Sequence, residues 1–499
     1  MSLASDPTAS RHEHRPTVEL LLLALPMIAQ FSSYVVLQFI DTYMLSLVGD
    51  LAATAAGNSG GLVWSVVALG FGTLLIVNTL VSQSYGRGDH AECGRYLWQG
   101  VWFALGYGVL ALLSIPFADN LFLAFGHEPA LAALEADYFR ICVWFCAVKL
   151  LTTACAQFLL AVNRPGIVLA ATIASVLANI GANCVLIFGK LGFPAMGAAG
   201  AAWGTNVALV VELAFMVGAI ALLPAIGRRY NCADWRPRRG HFAAILKVGL
   251  PAGGSTVAEV LAWSLFMVWV IGLFGTVTMA AHTYAFRFMM VSFMPAVGIG
   301  SAVTALVGRY IGAGKPYLAA RRAHLGFVMS AAYMVAMGAG MVVFRHELIG
   351  LFSADPQVIR IGAAILVMMA IYQIFDAMYV VYNGALRGAG DTLAPAIVLA
   401  ALVWTIGVGG GFVVATYRPE LGVIGPWAAM TLYGALLGLF LMTRFARGRW
   451  KAIRLHGEEA IRRDADRLPG DDAAAADLEA AEVTGKRASA KVAVLSAES

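Results

Sequence analysis

Charge is what this chain has least of. Of its 499 residues only 13% are Asp, Glu, Lys or Arg, about half the roughly 25% of soluble domains. So few charges cannot cover a water-soluble globule of this size. Cysteine is scarce too. Cys93, Cys142, Cys146, Cys155, Cys184 and Cys232 show neither metal-type spacing nor a disulfide framework, and they read as small apolar fillers. No Gly-x-x-x-x-Gly-Lys-Ser/Thr loop is present, so ATP hydrolysis would lack its phosphate cradle. His282 is the one histidine deep in an apolar stretch, and no His/carboxylate metal motif stands beside it, which argues against a membrane-embedded enzyme. The net charge of +5 comes from basic residues spread over loops without interleaved aromatics, so it carries no nucleic-acid signal.

What the chain does have is apolar length. Apolar residues make up 60% of it and fall in long stretches. A helix of ~20 such residues crosses the ~30 Å hydrocarbon layer. Twelve spans are predicted, at about 19–44, 57–82, 96–117, 136–160, 166–188, 197–223, 242–273, 279–306, 323–343, 359–382, 393–414 and 421–444. The first is too long for a cleaved signal and has no small-residue cleavage site. Lys and Arg set the orientation. Loops on the N-terminal side hold most of them, including the run Arg228, Arg229, Arg236, Arg238, Arg239 and Lys247; the opposite loops hold only Lys190, Arg345, Arg360 and Arg418. Both termini are therefore expected in the cytoplasm, with the spans in the inner membrane.

The same module is written twice. Gly86, Gly88, Arg95 and Gly100 return as Gly312, Gly314, Arg321 and Gly326, 226 residues on. Leu25-Pro26 returns as Leu250-Pro251, and Gly197-x-x-Gly200 as Gly422-x-x-Gly425, at a spacing of 225. An even number of spans per half relates the halves by an axis along the membrane normal. The fold expected is an all-α integral membrane protein of twelve transmembrane helices in two pseudo-symmetric six-helix lobes. Its divisions are 1–18 (N-terminal segment), 19–225 (N-lobe), 226–241 (inter-lobe loop), 242–444 (C-lobe) and 445–499 (a tail rich in Ala and charged residues, its first part an amphipathic or frayed helix at the membrane surface and the rest disordered). A duplicated, very apolar chain of this length reads as a transporter, with its site between the halves.

Charges inside spans cost roughly 2.5–3.5 kcal/mol on insertion scales and point to function. Here they are Asp41, Lys149, Glu212, Glu259, His282, Arg287 and Asp376. Loss of water favours the neutral form of a carboxylate. Asp41, Glu259 and Asp376 are thus placed where a proton, a sodium ion or an organic cation competes for them. The competing reading is structural: Glu259 or Asp376 neutralising Arg287, Glu212 pairing with Lys149. Asn179 and Asn183, four apart on one helix face, serve either as interhelical glue or in an ion network with Asp41. Pro26 and Pro251 each remove a backbone hydrogen bond, which suits either a switchable hinge or a fixed kink. Tyr372, Gln373, Phe286, Met290 and Arg287 are candidates for a cavity that accepts flat cations, against ordinary packing.

Several motifs together resemble one family. Val81-Ser-Gln-Ser-Tyr-Gly followed by Cys93-Gly-Arg-Tyr-Leu-Trp-Gln-Gly is similar to the loop after the second helix of multidrug and toxic compound extrusion (MATE) transporters. So are Gly189-Lys-Leu-Gly-Phe-Pro-Ala-Met-Gly-Ala-Ala-Gly after the fifth, Ala281-His-Thr-Tyr-Ala-Phe-Arg in the eighth and Gly384-Ala-Leu-Arg-Gly-Ala-Gly-Asp-Thr after the tenth. The resemblance covers about 19–444 and is NorM-like, since Glu259 and Asp376 stand at that branch's acids of the seventh and tenth helices. Asp41 matches the family's first-helix acid, and Asn179 with Asn183 its paired fifth-helix asparagines. Thr283 and the stretch around Met289 and Met290 depart from the usual pattern. The resemblance implies a monomeric exporter of small amphipathic or cationic compounds, with membrane lipid as its surroundings. No cofactor and no metal are implied beyond H+ or Na+ as coupling ion at the carboxylates. The alternatives are a lipid-linked precursor flippase of the same superfamily and a major-facilitator transporter; the latter's usual basic cluster after the second span is missing from Ser84-Tyr-Gly-Arg-Gly-Asp.

Overall fold

The structure, a computed structural model, describes residues 15–453 and 455; the expected N-terminal segment up to residue 14 and the rest of the expected tail lie outside them. Among the described residues every regular element is helical. Eleven helices are long and apolar enough to cross a membrane, and a pair bent by 45° supplies a twelfth span. They are α1 (Pro16–Ser46), α2 (Leu51–Gly86), α3 (His90–Ala124), α4 (the bent pair Pro129–Trp144 and Cys146–Ala161), α5 (Pro165–Leu186) and α6 (Gly197–Leu222). The second lobe has α7 (Arg239–Phe274), α8 (Thr276–Gly312), α9 (Pro316–Val343), α10 (Pro356–Ala389), α11 (Leu393–Tyr417) and α12 (Ile424–Ala446). Successive spans alternate in direction. The face where α1 begins is called near, its opposite far.

The helices overrun the predicted spans, chiefly at the near face. α8, α9 and α10 extend through Arg309, Arg322 and Arg387, the charges at which the apolar runs stopped. The physical reason is that helix hydrogen bonding does not end where hydrocarbon does; a basic side chain inside the last turns is tolerated once it finds a partner. Pro116 ends the regular part of α3 in a tight turn at Ile115–Phe117. Pro26 and Pro251 lie within helices that continue past them. The helical unit also runs past residue 445. Trp450 stacks on Phe445 with ring centroids 4.8 Å apart, and its indole N–H donates to the Phe445 carbonyl at 2.8 Å.

The lobes meet where the duplicated motif lies. α8 packs on α1 and α2, and α7 on α2. A Cβ on Gly86 would sit 2.0 Å from the Arg309 carbonyl oxygen, and one on Gly312 2.0 Å from that of Gln83. Gln83 and Arg309 are themselves repeat mates, so the ends of α2 and α8 cross by a reciprocal contact that only hydrogen permits. The repeat holds inside each lobe as well: a Cβ on Gly100 would meet Val77, and one on Gly326 its repeat mate Val303. Gly86→Ala and Gly312→Ala should each destabilise the detergent-solubilised protein by roughly 1–3 kcal/mol through overpacking. Because both push the same two helices apart, the double variant should lose less than the sum. Thermal midpoints of the four proteins check this; strict additivity would contradict a shared contact.

Polar bonds reinforce the crossing. Thr79 Oγ1 donates to the Arg387 carbonyl at 2.9 Å and Gln83 Nε2 to that of Gly388 at 3.0 Å. Glu19 of α1 accepts from Arg322 Nε of α9 at 2.7 Å and from the Tyr310 hydroxyl of α8 at 2.8 Å, and the Arg322 side chain is only 1% exposed. The inter-lobe loop is pinned to α3: Trp98 Nε1 donates to the Cys232 carbonyl at 2.6 Å, and Trp102 Nε1 to that of Trp235 at 3.0 Å.

Candidate functional site

Each lobe holds acids in apolar helices. In the N-lobe, Asp41 lies near the far end of α1, partly buried. Asn183 Nδ2 of α5 donates to Asp41 Oδ1 at 2.6 Å and to Asn179 Oδ1 at 3.0 Å. Both asparagines are fully buried. Gly204 of α6 makes room for them, since a Cβ there would lie 2.0 Å from Asn183 Oδ1. Asn183 Oδ1 and Asn179 Nδ2 are buried without a hydrogen-bond partner. A carboxylate takes a proton, and a carboxylate with amide oxygens is the hard donor set that suits Na+. The cluster fits either ion.

In the C-lobe, Glu259 of α7 accepts from the Tyr379 hydroxyl of α10 at 2.8 Å. Asp376 lies on the same stretch of α10 and is 2% exposed. Its Oδ2 has no hydrogen-bond partner. Tyr372, Asp376 and Tyr379 follow at i, i+4 and i+7 and share one helix face. The two acids act on each other electrostatically, and the basic group whose field reaches Glu259 is Arg387. Arg287, the neutralising partner considered for these acids, is exposed, and Arg387, in the last turn of α10, acts on Glu259 through its field alone. Tyr433 of α12, 1% exposed, is a further buried phenol within the field of both acids.

The two segments of the chain that carry these acids match a single family profile, described as MatE, over residues 26–185 and 251–413. This chain belongs to the MatE family. The two matched segments begin at the two repeated prolines, one per lobe. Among relatives, a probable multidrug resistance protein NorM of Mesorhizobium japonicum is 30% identical over 88% of this chain and 94% of its own length. The multidrug resistance protein PmpM of Pseudomonas aeruginosa is 32% identical over 90% and 94%. Solved structures show the same fold. A MOP superfamily transporter from Pyrococcus furiosus superposes with a TM-score of 0.80 at 20% identity, over 88% of this chain and 96% of that one. A MATE in a bent conformation gives 0.81 at 19%, over 90% and 98%. The protein is thus a multi-pass, NorM-like MatE transporter with two six-helix lobes.

The remaining candidates of this NorM-like chain divide. Tyr372 and Phe286 both face Trp263, with ring centroids 6.0 and 5.6 Å away. Met290 is half-buried and Arg287 exposed. Gln373 is fully buried; it accepts from Ser292 and donates to Met341 Sδ at 3.1 Å. It therefore ties α8, α9 and α10 together instead of lining a cavity. Glu212 accepts from Thr172 at 3.2 Å. His282 is enclosed by Phe266, Phe286 and Trp427. Arg387 and Tyr433 escaped the sequence reading. Arg387 lay in a quoted motif but looked like a loop charge; Tyr433 is a lone phenol in an apolar helix and gives no pattern to find.

Proposed function

We propose that this protein exports small amphipathic, mainly cationic compounds in exchange for inward H+ or Na+, by alternating exposure of a site between its lobes. The near face lies in the cytoplasm and the spans cross the inner membrane, as the loop Lys and Arg bias supports. It works as a monomer, because each chain carries both lobes and both acid sites. The observation that carries the reading is the Glu259–Asp376 pair. These acids sit in apolar helices; Glu259 accepts a hydrogen bond from the Tyr379 phenol, and Asp376 Oδ2 is buried without a partner. A carboxylate so placed is costly to keep charged, and it becomes useful when an inorganic cation and an organic cation take turns neutralising it. Asp41 with Asn179 and Asn183 offers the counterpart site in the other lobe.

Relatives named as multidrug resistance proteins support the substrate class. A lipid-linked precursor flippase would need a large cationic central cavity, for which the spans offer Arg287 and Lys149 as candidates. The energetics suffice. One charge moving down 100 mV supplies about 2.3 kcal/mol, a roughly 50-fold gradient of a neutral solute. In proteoliposomes with the near face inside, ethidium efflux should follow an inward pH gradient or an inward sodium gradient, each imposed alone. Efflux under neither would sink the proposal.

A further inference from the structure

The far end of the N-lobe holds an acid that the exchange reading leaves idle. Glu135, on the first segment of α4, has a side chain 0% exposed. Asn58 Nδ2 of α2 donates to Glu135 Oε1 at 2.7 Å. His127 Nδ1 lies 2.6 Å from Oε2, a short charge-assisted contact. The neighbouring Ser59 donates to the Glu135 backbone carbonyl at 2.9 Å and fixes α2 against this turn. His127 precedes α4 and is 28% exposed. Its ring is steadied by Phe122 and Phe125, with centroids 6.3 and 6.2 Å away. One imidazole thus connects solvent to a buried carboxylate.

From Glu135 a polar stripe runs along α4. Tyr138 and Cys142 follow at i+3 and i+7, on the same face. Both residues are half-buried. Tyr138 also packs against the cluster of Met44, Leu45 and Ile187, residues one turn beyond Asp41 and Asn183. Other titratable groups on α4 and the elements packed on it have their own engagements. Arg140 is held by Asp119 and Asp137, Tyr107 by the Val66 carbonyl and Glu212 by Thr172. Glu128 is the residue before α4's first turn, and Lys149 and Cys146 lie beyond its bend.

We propose that His127 and Glu135 form the far-face proton-loading site that feeds Asp41. This rests on the exporter reading above and deepens it by naming the proton as coupling ion and its port. His127 Nε2 takes a proton from the outer solution and Nδ1 gives its proton to Glu135 Oε2; the neutral imidazole, left as the Nε2–H tautomer, recovers an N–H toward Glu135 by ring rotation or by proton exchange with the outer solution before the next cycle. The Glu135 acid then passes one proton along the Tyr138 stripe to the Asp41 carboxylate and returns to its ionised form between Asn58 and His127. Each cycle moves one H+ inward and consumes nothing else.

The test uses full-length His127→Gln and Glu135→Gln in proteoliposomes, since both amides keep hydrogen-bonding capacity. Ethidium efflux is followed at a series of external pH values, under a pH gradient alone and a sodium gradient alone. Ethidium affinity and thermal midpoint are measured alongside. Both variants should slow pH-driven efflux on the order of 100-fold, as loss of a proton-transfer group does. They should flatten its dependence on external pH and leave affinity and midpoint at wild-type values. Wild-type pH profiles in both variants would overturn the port. So would a drop in midpoint or affinity that accounts for the lost rate. A wild-type protein driven by sodium alone would overturn the port and leave the exporter standing. A wild-type protein driven by neither gradient would remove the exporter reading itself, a result separable from all the others.

Discussion

Glu259→Gln and Asp376→Asn should each bring gradient-driven ethidium efflux down to the level of protein-free vesicles, a loss on the order of 100-fold or more. On the proposal above the two acids act as one charge-exchanging unit, the field of Glu259 reaching Asp376. The double variant should therefore be no worse than either single one, as expected for groups that work together. The amide is the right probe, because it keeps the volume and the acceptor of the acid but cannot trade a cation. At Glu259 it can still accept from Tyr379, so expression and thermal midpoint should stay near wild type. A second readout separates coupling from carriage. An amide resembles a permanently neutralised acid and cannot hold the cationic passenger either, so exchange of labelled for unlabelled passenger should fall together with net efflux; exchange that survives would mean the acids serve coupling alone. Full net efflux in both single variants would refute the assignment.

The second large effect concerns stability. Glu19→Ala and Arg322→Ala should each cost roughly 3–5 kcal/mol, since removing one member strands its partner's charge in a buried place. Tyr310→Phe removes a neutral donor from the same carboxylate and should cost less, about 1.5–3 kcal/mol. Replacing both ions with apolar residues, as in Glu19→Leu with Arg322→Met, should recover most of the loss, because a buried pair is often worth little against well-packed hydrocarbon. Denaturation midpoints in detergent measure all four. If Glu19→Ala and Arg322→Ala left the midpoint unchanged, the α1–α9 contact would carry none of the stability assigned to it.

These two predictions differ in how readable they were. Glu259 and Asp376 announce themselves because a charge in the middle of an apolar run has no cheap explanation. Asn179 and Asn183 are visible as a pair through helical spacing, and only their meeting with Asp41, 142 residues away from Asn183, required the fold. The duplication forecast two matching lobes, and the reciprocal packing of Gly86 and Gly312 makes that symmetry physical. Glu19 and Arg322 were invisible for the opposite reason. Each sits near the end of an apolar run, where a charge normally snorkels to water, and nothing local says that their partners lie across the lobe boundary. Arg387 was missed in the same way. Glu135 and His127 share this camouflage: eight residues apart in a turn-rich stretch, they look like interfacial decoration until burial is known.

The crossing of α2 and α8 has a historical corollary. Two helix ends that offer each other the same glycine form an isologous interface, the kind identical subunits make. A half-length ancestor with six spans would already have owned both sides of it, as a homodimer with parallel topology. Fusion would then have freed the copies to diverge, one keeping Asp41 and the other acquiring Glu259 and Asp376, while the crossing itself left no room for a side chain at Gly86 or Gly312.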